Sequence, residues 1–111
     1  AEAAVCLATA RAIARTTCDE IMSHAADGAL PTNEQRTKYR AQANFVGLQA
    51  WRSANVIWDA AMGRAVYENN PLARSYRDMS AATRHFTHNW DVNGAAYGRV
   101  RLGLAIDNPS L

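Results

Sequence analysis

Two histidines and a carboxylate lie close together near the C-terminal end of the sequence: His85, His88 and Asp91, each three positions from the next. On a helix, this spacing places the three side chains along one face. An imidazole changes charge near neutral pH, so a histidine at the edge of a cleft suits general acid or base chemistry. Histidines at a surface or an interface, without a chemical role, are the alternative interpretation.

The same three residues could also chelate a metal ion, because helical bundles bind metals with paired ligands on facing helices. The sequence has no Glu-x-x-His element and no second group of ligands on another predicted helix. We therefore predict no metal site. The third histidine, His24, falls near the predicted end of the first helix, where the helix dipole favours a cation.

Arg64 is a second candidate for chemistry, since it follows Gly63 in the connector 63–70 between two predicted helices. An arginine on a turn made flexible by glycine can hold a phosphate group. A solvated loop arginine is equally consistent with the spacing. The sequence contains no Ser-His-Asp order, no phosphate-binding glycine loop and no cysteine-rich site. The chain by itself is therefore predicted not to form a complete active site.

The histidines belong to the stretch that we expect the rest of the chain to be organised around, residues 71–104. Its apolar positions are spaced by alternating steps of three and four residues, and Thr83 and Asn93 fill two remaining steps. This spacing predicts one long helix whose seam faces a partner helix. Gly103 and Pro109 mark its end. The apolar seam positions are Leu72, Tyr76, Met79, Phe86, Trp90, Tyr97, Val100 and Leu104.

Two further helices are predicted before this stretch, over residues 2–26 and from Thr32 to about Met62. Thr32 and Gln35 form a capping box, and Gly28 is a natural C-terminal cap for the first helix. The second helix carries two apolar stripes, one with Val46 and Ile57 and one with four large side chains. It must therefore be covered on more than one side, by another helix or another subunit. We expect the tryptophans of the chain to be core or subunit-interface aromatics. The second stripe contains Leu48, Trp51, Trp58 and Met62.

These elements predict an all-α protein with one domain, 1–111, in which three long helices run up, down and up. The chain is 49% hydrophobic, but no apolar run approaches the ~20 residues that span a bilayer. Eleven arginines and one lysine are interleaved with ten carboxylates, so no basic arm indicates nucleic acid as a partner. The first residues lack the order of a signal peptide. Cys6 and Cys18 are too far apart on one helix to bond, so we expect both to be reduced, packed thiols. We expect a cytoplasmic protein.

The run 70–111 resembles the C-terminal end of the flavin monooxygenases that share the acyl-CoA dehydrogenase fold, the oxygenase components of two-component systems. The matching features are PLxRxxRD, a histidine four residues before Asn-Trp-Asp, then YGR and LGL. The predicted helices of residues 1–62 match that family's C-terminal bundle in order and length. The matching residues are Pro71, Leu72, Arg74, Arg77, Asp78, His85, Asn89, Trp90, Asp91, Tyr97, Gly98, Arg99, Leu102, Gly103 and Leu104.

The resemblance implies that the chain is part of a C-terminal four-helix bundle, a fragment without that bundle's first helix, the N-terminal helical domain and the middle β-domain. Such proteins are tetramers that bind reduced FMN or FAD, supplied by a separate flavin reductase. With oxygen they form a C4a-hydroperoxyflavin, which hydroxylates a phenolic or other aromatic substrate, or oxidises sulfur or nitrogen. The implied partners are thus a homo-oligomer (dimer or tetramer), a flavin reductase and a small aromatic substrate.

The resemblance also implies roles for three residues. His85 takes the place of the family's active-site histidine, next to flavin and substrate. Arg64 stands where the family often contacts the flavin phosphate from a neighbouring subunit, with Gly63 before it. The family usually has two glycines before that position, whereas this chain has Met62 and Gly63. The alternative function is a non-catalytic helical oligomerisation module of acyl-CoA dehydrogenase-like ancestry.

Overall fold

The structure, a computed structural model, describes residues 1–67, 69–85 and 88–106. Four α-helices account for most of these residues: α1 (Glu2–Ala26), α2 (Asn33–Ala61), α3 (Pro71–Thr83) and α4 (Trp90–Arg101), with a 3₁₀ helix at Met62–Val66. No strand occurs in these described ranges. The predicted all-α class is therefore confirmed. None of the described helices combines the length and the apolar character required to cross a bilayer.

The hairpin of α1 and α2 is built from the caps that the sequence predicts. The Thr32 Oγ1 accepts a hydrogen bond from the Gln35 amide at 3.2 Å, and the Gln35 side chain accepts one from the Thr32 amide at 2.8 Å. Gly28 adopts a left-handed φ of +67°, and its amide donates to the Ala25 carbonyl. Because glycine adopts this conformation without strain, it ends α1 and lets the chain turn back.

Polar side chains fix the antiparallel register of α1 and α2 along their length. Arg52 pairs with Glu2 at the open end of the hairpin, and Lys38 pairs with Glu20 at 2.7 Å near the turn. The hydrogen bond to the Glu20 carboxylate raises the pKa of Lys38 above its ordinary value. The His24 Nε2 lies 2.8 Å from the side-chain Nε2 of Gln35, so this histidine contacts a side chain of the facing helix.

The stretch 71–104 is two helices, not the single long helix that the seam spacing predicts. Thr83 ends α3, and α4 begins only at Trp90. Asn89 caps the new helix, since its Oδ1 accepts a hydrogen bond from the Val92 amide at 3.3 Å. Both helices run antiparallel to α2, one after the other, so the up-down-up path is retained. Phe86 of the predicted seam lies outside the described residues, as do residues 107–111 of the tail.

The helix at the centre of the bundle is α2, rather than the stretch 71–104. It packs against α1, α3 and α4 in turn. Asn44 of α2 and Asn93 of α4 are both buried, and the Asn93 amide donates to the Asn44 side-chain oxygen at 3.4 Å. The buried apolar residues are mostly small: Cys6, Ala10, Tyr39, Ala41, Ala65, Ala73 and Ala96. Cys18, which we expect to be packed, is exposed.

The end of α2 contains the one non-glycine residue with a positive φ in the described chain. Met62 has φ +52° and ψ −151°, a region that side chains other than glycine rarely adopt. Gly63, which the sequence predicts as the end of this helix, does not need its conformational freedom in this way, and a Cβ added there would meet nothing within 4 Å. The change of direction after α2 thus occurs one residue earlier than predicted.

Candidate functional site

His85 and His88 line one open depression of about 590 Å³ on the surface of the bundle. It lies where the chain passes from α3 to α4, against the middle of α2. Leu48 and Trp90 supply apolar walls, and Asp91 adds a carboxylate to the same depression. The three residues of the predicted edge, His85, His88 and Asp91, are therefore brought together, although they do not share one helix.

Local structure at the two helix ends positions the histidines. The His85 amide donates to the Ala82 carbonyl at 3.3 Å, which continues the last turn of α3. The His88 amide donates to the His85 carbonyl at 2.8 Å, so the backbones of the two residues are in direct contact. Asn89 follows immediately as the cap of α4. Both imidazoles thus belong to residues with hydrogen-bonded backbones, between the end of α3 and the start of α4.

His88 contacts the middle of α2. A Cβ built on Gly47 would lie 3.5 Å from the His88 Nδ1, so the imidazole packs over the bare backbone of this glycine. His88 also lines a smaller pocket of about 120 Å³ beside Asn44 and Trp51. The signal available in the sequence was a glycine in the interior of a predicted helix, a position where another group can approach the backbone closely.

Arg84 is a site residue that the sequence analysis did not single out. Its guanidinium lies over the Trp51 ring, 5.4 Å from the centroid, and lines both the depression and the smaller pocket. Arg84 Nη1 also donates to the hydroxyl and the carbonyl oxygen of Ser80, one turn earlier on α3. The side chain is therefore held at the rim from two directions, by its own helix and by α2.

Next to Arg84, aromatic side chains of α2 and α3 pack against one another. Tyr76 stacks on Trp58 with ring centroids 4.3 Å apart and contacts Trp51 at 5.1 Å. The Tyr76 hydroxyl donates to the Asn55 side-chain oxygen at 2.8 Å. Trp51 and Trp58 thus lie in an interface between helices, as we expect, and Trp51 also contacts Arg84.

Gly63 and Arg64 lie far from the histidines within one chain. They follow the end of α2, whereas the depression contacts α2 at Leu48, about 20 Å earlier along the helix axis. Arg64 is exposed, and its carbonyl accepts a hydrogen bond from the Asn70 side chain at 3.0 Å. The structure therefore brings His85, His88 and Asp91 together but leaves Gly63 and Arg64 at a separate place.

No group of three or more His, Cys, Asp and Glu side chains in the described part of the chain is arranged to hold a metal ion. The depression nevertheless carries several ionisable groups: one guanidinium, two imidazoles and one carboxylate. Such a set can bind a polar or anionic group and can accept or donate a proton.

Comparison with known proteins gives two matches. The family model described as acyl-CoA dehydrogenase, C-terminal domain, matches residues 1–90. The chain is also similar to the FADH(2)-dependent resorcinol hydroxylase, oxygenase component, of Rhizobium sp. (strain MTP-10005), with 36% identity over 53 residues. That alignment covers 48% of this chain and 13% of the relative, so the chain matches a small part of the relative's length. No solved structure matches the chain.

Proposed function

The chain belongs to the acyl-CoA dehydrogenase C-terminal domain family, and from this premise we propose that it is the C-terminal bundle of a reduced-flavin-dependent hydroxylase acting on an aromatic substrate. The observation that carries the proposal is the depression lined by His85 and His88 in a chain similar to a hydroxylase oxygenase component. The apolar walls at Leu48 and Trp90 suit one face or edge of an aromatic ring.

In this proposal, His85 is the residue that moves the substrate proton. A neutral imidazole at the rim of the depression can take the proton of a phenol bound against Trp90, and its position on an open rim makes it accessible to a ligand. His88 packs over Gly47, and its amide donates to the His85 carbonyl. The flavin, when bound, supplies the activation of oxygen.

The fit of these residues to a flavin, reduced FMN or FAD, is partial within one chain. A flavin has a ring system to be placed near the substrate and a phosphate that favours an arginine. Arg64 and Gly63 lie about 20 Å from the depression along α2, so the two places are separate within one chain. We propose that Arg64 and Gly63 serve the flavin phosphate of a neighbouring copy in a homo-oligomer, a dimer or a tetramer.

The further partners in this proposal are a flavin reductase, which supplies reduced flavin, and a small aromatic substrate. A non-catalytic oligomerisation module is the second candidate function. It is favoured by the many large apolar side chains that the bundle exposes, such as Met62, Val66 and Tyr67. Turnover measurements distinguish the two functions, because an oligomerisation module has no histidine on which product formation depends.

The test compares His85→Ala and His88→Ala in the full-length protein, with reduced flavin supplied and product measured per flavin oxidised in a single turnover. We expect His85→Ala to lower hydroxylation about 10²–10⁴-fold, with hydrogen peroxide released in place of product. We expect a much smaller loss for His88→Ala, because that imidazole packs on α2 beside Gly47.

Assembly and helical content of both variants serve as the control, and both should match the unchanged protein. Small and equal effects of the two substitutions would reduce His85 to a packing residue. A larger loss for His88→Ala, or activity restored by an added divalent metal, would instead favour a metal site at His85, His88 and Asp91.

A further inference from the structure

We propose that Arg84 makes the depression selective for an aromatic ligand that carries an anionic group, such as a ring carboxylate. This inference deepens the proposed function, on which it rests for the identification of that ligand as the substrate. Nothing in the motif of the sequence analysis includes Arg84; the inference comes from where its guanidinium lies.

Arg84 brings a positive charge to the depression. The described residues place no carboxylate within ion-pair distance of Arg84, although Asp91 lines the same depression. The contacts with Ser80 use one nitrogen of the guanidinium, Nη1. An arginine has five N–H donors in a planar fork, so donors remain for a carboxylate.

Two contacts restrict the Arg84 guanidinium before any ligand arrives. It lies over the Trp51 ring, 5.4 Å from the centroid, and its Nη1 donates to Ser80. Trp51 is itself packed against Tyr76. A donor group that is already fixed loses less conformational entropy on binding, and it selects ligands by where their charge lies.

The depression also offers apolar surface. Leu48 and Trp90 line the depression next to Arg84, and both are partly exposed, at 40% and 39%. A ligand that offers only an anion would leave these side chains in water, and one that offers only a ring would leave the guanidinium without an acceptor. A ring that bears a carboxylate satisfies both parts of the site.

The experiment titrates the chain with three probes and follows the tryptophan indole signals by NMR. The probes are 3-hydroxybenzoate, the neutral 3-hydroxybenzyl alcohol of similar shape, and inorganic phosphate, which is an anion without a ring. We expect the hydroxybenzoate to bind about tenfold more tightly than the alcohol, as a charge-assisted hydrogen bond allows, and more tightly than phosphate.

Arg84→Gln should abolish the preference for the hydroxybenzoate over the alcohol. Arg74→Gln is the matched control, because Arg74 is an exposed arginine of α3 whose side chain lies near Asp78 and not in the depression. The control should retain the preference, and both variants should retain the helical content of the unchanged chain.

The proposal is wrong if the alcohol binds as tightly as the hydroxybenzoate, if Arg84→Gln keeps the preference, or if the hydroxybenzoate shows no saturable binding. Binding of phosphate as tight as that of the hydroxybenzoate would mean a simple anion site and would also overturn it. These measurements need neither flavin nor turnover. Failure here therefore leaves the role of His85 standing, and failure of the His85 test leaves this preference measurable.

Discussion

Two tyrosines of this bundle have hydroxyl groups in opposite situations. Tyr76 Oη donates to the Asn55 side chain at 2.8 Å, between the rings of Trp51 and Trp58. Tyr39 is buried in α2, and its hydroxyl has no hydrogen-bond partner among the described residues. A buried polar group without a partner has lost its hydrogen bonds to water and gained none in the protein, which lowers stability. A buried polar group that is hydrogen-bonded contributes to stability.

Removing the two hydroxyl groups should therefore change stability in different directions. We expect Tyr76→Phe to lower the free energy of unfolding by about 1 kcal/mol, since it leaves the Asn55 oxygen without its donor. Tyr39→Phe, the matched control, should leave the stability unchanged or raise it slightly. Urea unfolding followed by circular dichroism measures both. An equal loss for the two variants would contradict the assignment of the Tyr76 hydrogen bond.

The sequence shows which residues of the site can do chemistry, but not which residues of other helices each one contacts. His85, His88 and Asp91 line one depression, although the single helix that their spacing predicts is interrupted between α3 and α4. The contact of His88 with Gly47 depends on how two segments far apart in sequence pack, and no local pattern encodes it. Arg84 was missed for the same reason, because its significance comes from Trp51 on another helix. The distance from His85 to Arg64 likewise follows from the antiparallel path of α3 along α2.

At the scale of elements, the break between α3 and α4 shows a limit of periodicity. The seam spacing continues without a slip from Leu72 to Val100, because both helices pack against the same helix, α2. A regular apolar period therefore predicts which face is covered, but not that the backbone is continuous. The sequence does contain a signal for the start of a helix at this point. Asn89 is a favourable N-cap residue, and Asp91 follows it in the first turn of α4. The caps at Thr32 and Gly28, in contrast, are local and were predicted correctly.

At the junction after α2, a residue with a side chain adopts a backbone conformation that favours glycine. Met62 adopts φ +52° and ψ −151°, which costs a residue with a Cβ of order 1–3 kcal/mol, and its side chain is largely exposed. We expect Met62→Gly to raise the free energy of unfolding by about 1 kcal/mol, the strain relieved less the entropy that glycine adds to the unfolded chain. Thermal unfolding followed by circular dichroism measures the change.

Gly63→Ala is the matched comparison at the next position. A Cβ there meets nothing within 4 Å and Gly63 has no positive φ, so this substitution should be neutral or slightly stabilising. If Met62→Gly destabilises the chain while Gly63→Ala is neutral, the turn after α2 does not have the backbone described here. The comparison matters for function because Arg64 follows directly on this turn.

For the whole molecule, the balance between buried and exposed apolar side chains is the main feature. The buried apolar residues are mostly alanines, whereas Leu7 and Ile57 remain 40% and 45% exposed. These two line an open groove of about 190 Å³ between α1, α2 and α3, which Leu72 and Met79 complete. The two-striped pattern of α2 predicted that its own chain would not cover it fully. The exposed groove agrees with that expectation and supports the proposal of a homo-oligomer.

We expect sedimentation of the chain at micromolar concentration to show a dimer or a larger species. A second copy that covers the groove would remove apolar surface from water, and each Å² buried contributes about 25 cal/mol to the free energy of association. Ile57→Glu should shift the equilibrium towards monomer, since association would then bury a carboxylate without a partner. Leu30→Glu is the control: Leu30 is 93% exposed in the turn between α1 and α2, away from the groove. A compact, stable monomer in which quencher does not reach Trp51 and Trp58 would show that the bundle needs no partner. Equal effects of the two glutamates would move the interface away from the groove.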